Sequence, residues 1–245
     1  MERSTLLGVP VCCGKKEDLL REAERLLGRG GRIYTVNPLM LMGGVKSDAV
    51  CAVLRRGTLC IPDGIGVAAA LRRRGVLTEV LCGVELGEYL FSKSVSVGIV
   101  GGRKGVAERA FHALFRRYTH VRPAFLLDGY TTTAEQVCEQ LRSCRPTLLF
   151  VCLGTPKQEL LIDRVSSACE RTVCIGLGGS LDVYAGDKGR APKWVRGMHL
   201  EWLYRTVREP HRLATLPTLC RYIFITRKER KTLKCTKKAG KRGAF

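Results

Sequence analysis

Asp63 stands in IPDGIGV at 61–67, after a short apolar run and before a helical one, where an open parallel sheet presents its ligands. A carboxylate there can take a proton from an attacking hydroxyl if its surroundings keep its pKa in range. The same residue in a Pro-Asp-Gly turn can equally cap the following helix. Thr35 and Asn37, in TVNP at 35–38, end an earlier apolar run with a hydroxyl and an amide. Both suit hydrogen bonding to a sugar or a base, and Asn37 before Pro38 also has the form of a helix N-cap. Gly101 and Gly102, in GIVGGRKG at 98–105, can let backbone N–H groups cradle a phosphate or can simply make a tight turn. The motif departs from GxGxxG. Lys157 and Gln158, in GTPKQE at 154–159, open a helix after another apolar run and are expected to point from its first turn toward the space above the strand ends. GLGGSLDVYAG at 176–186 is a glycine-dense loop that tolerates close approach by a ligand.

These loops need a scaffold that brings strand ends together. From about 15 to 178, short apolar runs alternate with stretches of helical periodicity, the pattern of a mostly parallel sheet with helices on its faces. The expected strands lie at 32–36, 59–61, 95–100, 124–127, 147–153 and 172–177. The expected helices lie at 18–27, 38–55, 67–74, 84–91, 105–118, 134–143 and from 156. The fold class is therefore α/β, Rossmann-like, with a basic helical C-terminal appendage. A composition shift near Gly189 divides the chain into a core at 1–188, an appendage at 189–233 and a Lys-rich end at 234–245 that is expected to be disordered. All the glycine-bearing loops fall at one edge of the sheet and describe one cleft for something polar and phosphorylated.

The charge is uneven. The 245 residues carry a net +20, yet residues 188–245 hold 17 Lys and Arg against 3 Glu, while residues 1–187 hold 25 against 19. Such a tail suits nucleic acid, an anionic membrane or an acidic polymer. Within it, 190–212 interleaves arginines with two tryptophans and a tyrosine. The 12 cysteines are irregularly spaced and mostly inside apolar runs, so they read as buried free thiols of a reducing compartment rather than a disulfide framework. No spacing suits zinc. The N-terminus lacks the form of a signal peptide, and no stretch approaches the roughly 18 apolar residues of a membrane span. The expected location is cytoplasmic, with membrane contact only peripheral.

In order, TVNP, IPDGIGV, DGY at 128–130, LLFVCLGTPKQE, GLGGSLDVYAGDKGRAPKW and LEWLYRTVREPHR resemble the WecG/TagA/CpsF family of bacterial glycosyltransferases over about 35–222. The resemblance implies a Rossmann-like domain and an inverting transfer of N-acetylmannosamine, or a related sugar. The donor would be a UDP-sugar and the acceptor a polyprenyl-diphosphate-linked N-acetylglucosamine, in wall teichoic acid or related envelope polymer synthesis. It implies no catalytic metal or other cofactor. By motif it places the catalytic base on Asp63, with Thr35 and Asn37 beside it, Gln158 on substrate, and Arg205, Arg208 and Arg212 on phosphate. It implies docking of the basic tail on an anionic membrane surface at the inner face of the cell membrane, and leaves room for a homo-oligomer. Where many relatives carry an arginine and TGxDL, this chain reads EVLCGVEL at 79–86, with Val80, Cys82 and Glu85 at the departing positions. Glu85 is thus a second candidate carboxylate. A different UDP-sugar is the alternative within the fold. A nucleic-acid-binding protein is the alternative outside it, and it leaves the ordered loop motifs without a role.

Overall fold

The structure, a computed structural model, describes residues 1–198 and 201–242; the side chains of Lys193, Arg196, Arg205, His211 and residues 230–242 lie outside the described set. The chain opens with an antiparallel hairpin, β1 (Glu2–Leu6) and β2 (Val9–Cys13), which the sequence pattern does not announce. Its two-residue turn is Leu7-Gly8, at φ of 50° and 80°, the left-handed geometry that matches the twist of a hairpin. There follow α1 (Lys16–Glu24), β3 (Gly31–Val36), α2 (Pro38–Lys46), α3 (Asp48–Arg55), β4 (Leu59–Pro62), α4 (Ile65–Arg72) and α5 (Gly83–Lys93). Next come β5 (Ser96–Gly101), α6 (Val106–Phe115), β6 (Arg122–Leu127), α7 (Ala134–Cys144), β7 (Leu148–Cys152), α8 (Lys157–Val165), β8 (Val173–Gly176) and α9 (Ser180–Tyr184). The appendage contains α10 (Lys193–Gly197), α11 (Glu201–Arg208), a 3-10 turn (Pro210–Thr215) and α12 (Leu216–Arg242).

Six strands form one sheet in the order β4-β3-β8-β7-β5-β6, every neighbouring pair parallel. Side chains alternate across it as a strand requires. Ile33, Ile61, Ile99, Phe150 and Ile175 face a core completed by α1, α5, α6 and α9. Tyr34, Cys60, Val100, Val151 and Cys174 face a second core completed by α2, α3, α4, α7, α8 and the N-terminal hairpin. Strands covered on both faces become near-continuous apolar runs, which is why LLFVC at 148–152 was so legible. The described cysteines are all free thiols, and burial pushes Cys60 and Cys174 up to about 12.

One expectation meets a different backbone. The single helix expected over 38–55 is broken at Ser47, whose backbone is extended and whose hydroxyl accepts a hydrogen bond from the Val50 N–H at 3.4 Å. The chain therefore turns between α2 and α3 with a local cap. At the C-terminal end, α12 runs on through the Lys-rich segment to Arg242. That helix is anchored at its start, where Tyr222 and Thr226 are buried. The Tyr222 hydroxyl donates to the Gly66 carbonyl at 3.2 Å, and Glu229 pairs with Arg74.

Candidate active site

The parallel register sets Thr35 beside Ile61 and Val36 beside Pro62. The ladder continues one step further, because the Asp63 N–H donates to the Val36 carbonyl at 2.8 Å. The backbone of Asp63 is thereby held at the mouth of β3 and β4, where the residue is half-buried. The N-cap of α4 is Gly64, at φ 87°, which has no side chain to cap with. Gly66 lets α4 pack on the start of α2, since a Cβ there would lie 2.7 Å from Pro38 Cγ. Asn37 fulfils its capping form: its Oδ1 accepts from the N–H groups of Leu39 and Met40, both at 3.0 Å. The amide NH2 takes no part in the cap.

Thr35 is 5% exposed, and its hydroxyl donates to the Gly176 carbonyl at 3.0 Å, joining β3 to the glycine loop after β8. Gln158 is also buried. Its Oε1 accepts from the Gly178 N–H at 2.8 Å and its Nε2 donates to Glu159 Oε1 at 2.7 Å, so its amide is a tether for the same glycine loop. Glu159 is fully buried and also accepts from the Thr155 hydroxyl at 2.8 Å. Burial pushes its carboxyl upward, against these hydrogen bonds. Nothing in the sequence signals a wholly buried glutamate next to an exposed Lys157; only tertiary packing shows which side of α8 faces in.

Gly101 has φ 148°, and a Cβ there would sit 2.4 Å from the Cys152 carbonyl oxygen. Its neighbour Gly102 accepts a backbone hydrogen bond from Gly129 at 2.8 Å. Beside this loop lies an open cavity of about 620 Å3 lined by Arg103, Lys104, Asp128, Tyr130 and Thr131. Tyr130 is largely exposed. Two cations and an aromatic face beside a glycine loop suit a phosphorylated nucleoside. The Asp128 carboxylate is committed to its own turn. It accepts from the Thr131 hydroxyl at 2.6 Å and from the N–H groups of Tyr130 and Thr131 at 2.9 and 2.8 Å, which hold its pKa down.

Glu85 lies in the first turn of α5 and bridges two cations: its Oε2 accepts from Lys16 Nζ at 2.6 Å and its Oε1 from Arg190 Nη2 at 2.7 Å. Partial burial alone would raise its pKa; the hydrogen bonds and charges of Lys16 and Arg190 outweigh it and hold the carboxyl below the usual range. Lys188 bridges Asp182 at 2.9 Å and Glu209 at 3.3 Å. Glu209 in turn holds Arg212 Nε at 2.5 Å. Arg208 lies over the Tyr204 ring, 5.3 Å from its centroid. The side chain of Arg205 lies outside the described residues.

The five carboxylates along this edge are therefore not equivalent. Glu85 is clasped by cations, Asp128 closes a turn, Glu159 is sealed from solvent and Asp182 holds Lys188. Asp63 stands half-buried at the strand mouth, beside Thr35 and Asn37. Thr35, Asn37, Asp63, Gly101, Gly102 and Gln158 meet along one sheet edge. Lys157 stands exposed at the start of α8, and Arg208 and Arg212 belong to an appendage that is tied to the core through Lys188 and Arg190.

A parallel sheet covered by helices on both faces, with its glycine loops gathered at the carboxyl edge, defines a Rossmann-like α/β protein. The glycosyl transferase WecG/TagA/CpsF family matches residues 4–235. The chain belongs to this family. It is 31% identical over 210 residues to the N-acetylglucosaminyldiphosphoundecaprenol N-acetyl-beta-D-mannosaminyltransferase of Bacillus subtilis (strain 168), covering 84% of this chain and 82% of that one. Proteins of the same name from Bacillus spizizenii (strain ATCC 23059 / NRRL B-14472 / W23) and Staphylococcus aureus (strain MW2) are each 30% identical. The Bacillus spizizenii match covers 80% of this chain and 78% of its own length; the Staphylococcus aureus match covers 84% and 83%.

Proposed function

We propose that this protein transfers N-acetylmannosamine from a UDP donor to N-acetylglucosaminyl diphosphoundecaprenol with inversion, in the synthesis of wall teichoic acid or a related envelope polymer. The observation that supports this reading is the placement of Asp63 at the mouth of β3 and β4, half-buried and next to the loop that carries Thr35 and Asn37. Its carboxylate takes the proton of the acceptor's attacking hydroxyl as that oxygen bonds to the anomeric carbon from the face opposite UDP. The bond from that carbon to the diphosphate oxygen breaks, and UDP leaves with the electron pair. The β-linkage in the relatives' name is the one a single displacement makes from an α-linked sugar nucleotide.

The leaving diphosphate needs its developing charge met by fixed donors. The glycine loop at Gly101 and Gly102, the flanking Arg103 and Lys104, the exposed Lys157 and the appendage arginines are the groups suited to it, and the proposed reaction needs no metal. The acceptor's lipid puts the enzyme at a membrane surface. Among the described residues no helix is long and apolar enough to cross a membrane. The proposed contact is peripheral, at the inner face, through the basic tail and the exposed Trp194, Trp202, Val207 and Phe224 of the appendage. The test is Asp63→Asn assayed with UDP-N-acetylmannosamine and a soluble acceptor analogue in the presence of EDTA. Wild type is expected to turn over, and the variant to lose about 100-fold or more, the contribution of general acid–base catalysis. A variant within a few-fold of wild type removes Asp63 from this role.

A further inference from the structure

Resting on the reading above, we infer that Gln158 is a positioning residue, which with Glu159 forms a buried clamp on the glycine loop at 176–179. What position 158 must supply is then an acceptor for the Gly178 N–H rather than an amide for substrate. Gln158 is 4% exposed and Glu159 is fully buried. They are consecutive residues in the first turn of α8, and consecutive side chains on a helix do not ordinarily face each other. Here the Gln158 Nε2 donates to Glu159 Oε1 at 2.7 Å, so both side chains turn inward to meet.

The direction of each hydrogen bond follows from what its partners can offer. The Gly178 N–H can only donate, and Gln158 Oε1 accepts from it at 2.8 Å. That leaves Nε2 on the side of Glu159, whose carboxylate is an acceptor and so its complement. Glu159 Oε2 in turn takes the Thr155 hydroxyl at 2.8 Å. The row runs from Thr155 through Glu159 and Gln158 to Gly178, and each of its contacts pairs a donor with an acceptor.

What the clamp holds matters for the chemistry. A Cβ on Gly176 would lie 3.0 Å from Gln158 Nε2 and 3.2 Å from its Cδ, so the amide packs against the bare face of Gly176. The Gly176 carbonyl accepts the Thr35 hydroxyl at 3.0 Å. The residue after Thr35, Val36, accepts the Asp63 N–H. Gln158 therefore bears from behind on the segment that carries the candidate base and its neighbour.

The test exchanges donor and acceptor. Full-length wild type, Gln158→Glu, Glu159→Gln and the double variant are assayed at pH 8 with UDP-N-acetylmannosamine and a soluble acceptor analogue. Hydrogen exchange of the Gly178 amide, in protein labelled with 15N-glycine, reads the clamp directly. Gln158→Glu sets face to face two carboxyls that cannot both ionise without repulsion. It is expected to lose about 100-fold in kcat, the scale of a misplacement of about 1 Å, with faster exchange at Gly178. Its KM values are expected to stay within about three-fold of wild type, as they do when a contact made in the transition state is lost. Glu159→Gln keeps an acceptor for Nε2 and lets the Thr155 hydroxyl turn to accept, so it is expected to lose less than about five-fold. The double variant rebuilds the row with amide and carboxylate exchanged: the amide at 159 donates to the carboxylate at 158, which accepts from Gly178. It is expected to recover to within about ten-fold of wild type in kcat, with Gly178 protected again. A double variant no more active than Gln158→Glu overturns the inference, and so does wild-type exchange at Gly178 in Gln158→Glu. A wild-type protein that turns over no substrate overturns the functional reading beneath it, while exchange at Gly178 still decides the clamp.

Discussion

Replacing Glu85 by glutamine removes the charge that joins three distant parts of the chain, the start of α1, the first turn of α5 and the loop leading into the appendage. The carboxylate makes two charge-assisted hydrogen bonds, to Lys16 at 2.6 Å and to Arg190 at 2.7 Å, with side chains 31%, 40% and 25% exposed respectively for Glu85, Lys16 and Arg190. Fully exposed pairs contribute about 0.2–1 kcal/mol, and hydrogen bonds to charged groups up to about 3. Partial exposure screens both, so about 1 kcal/mol for each bond is expected, or about 2 for Glu85→Gln. For a chain of this size that lowers Tm by about 4–8 °C. Arg190 Nε is buried without a partner, so Arg190 is the group most penalised by losing its counter-charge. Because the pKa of Glu85 is depressed in the folded state, its contribution is complete above the unfolded value of about 4.5. It is lost as pH falls through the folded value. Urea unfolding at pH 7, 5 and 4, with a double-mutant cycle against Arg190→Gln, checks this. A coupling energy near 1 kcal/mol is expected at pH 7, shrinking below pH 4.5, together with faster tryptic cleavage around Lys188 and Arg190. A coupling below about 0.3 kcal/mol, or a gap between wild type and variant that ignores pH, refutes the latch.

Gly101→Ala is expected to cost more than about 3 kcal/mol, because the residue has a left-handed φ and its new Cβ would sit 2.4 Å from a carbonyl oxygen; soluble yield and Tm read it, and a wild-type-like Tm contradicts it. Replacing Lys234, Lys237, Lys238 and Lys241 together by glutamine is expected to weaken binding to vesicles containing anionic lipid by about 1 kcal/mol per lysine near the surface, with activity on a soluble acceptor unchanged. Vesicle co-sedimentation at two salt concentrations measures it, and undiminished binding removes the tail from membrane docking.

Much of this site was legible in the sequence because its signals are local. An apolar run, a glycine and a polar residue within five positions announce a strand end wherever they occur, and TVNP, IPDGIGV, GTPKQE and GLGGSLDVYAG all turned out to share one sheet edge. Asn37 before Pro38 read as a cap and is one. The break at Ser47 was missed because α2 and α3 together keep a helical pattern of apolar residues, and one serine hydroxyl decides the turn.

What sequence alone determined about this protein is its class: alternating apolar periodicities set a doubly covered parallel sheet, ordered loop motifs set the family, and charge counting set apart a basic appendage. Tertiary structure alone decided the surroundings of the carboxylates. Asp63, Glu85, Asp128, Glu159 and Asp182 are chemically near-identical in the sequence. Their differences come from partners far along the chain, 69 and 105 residues away in the case of Glu85, and from burial in the case of Glu159. The same holds for the Thr35 hydroxyl, which is spent on the Gly176 carbonyl only because β3 and β8 are neighbours in the sheet. A carboxylate's proton affinity and a hydroxyl's availability are set by the atoms packed around them, and those atoms are chosen by strand order and helix packing.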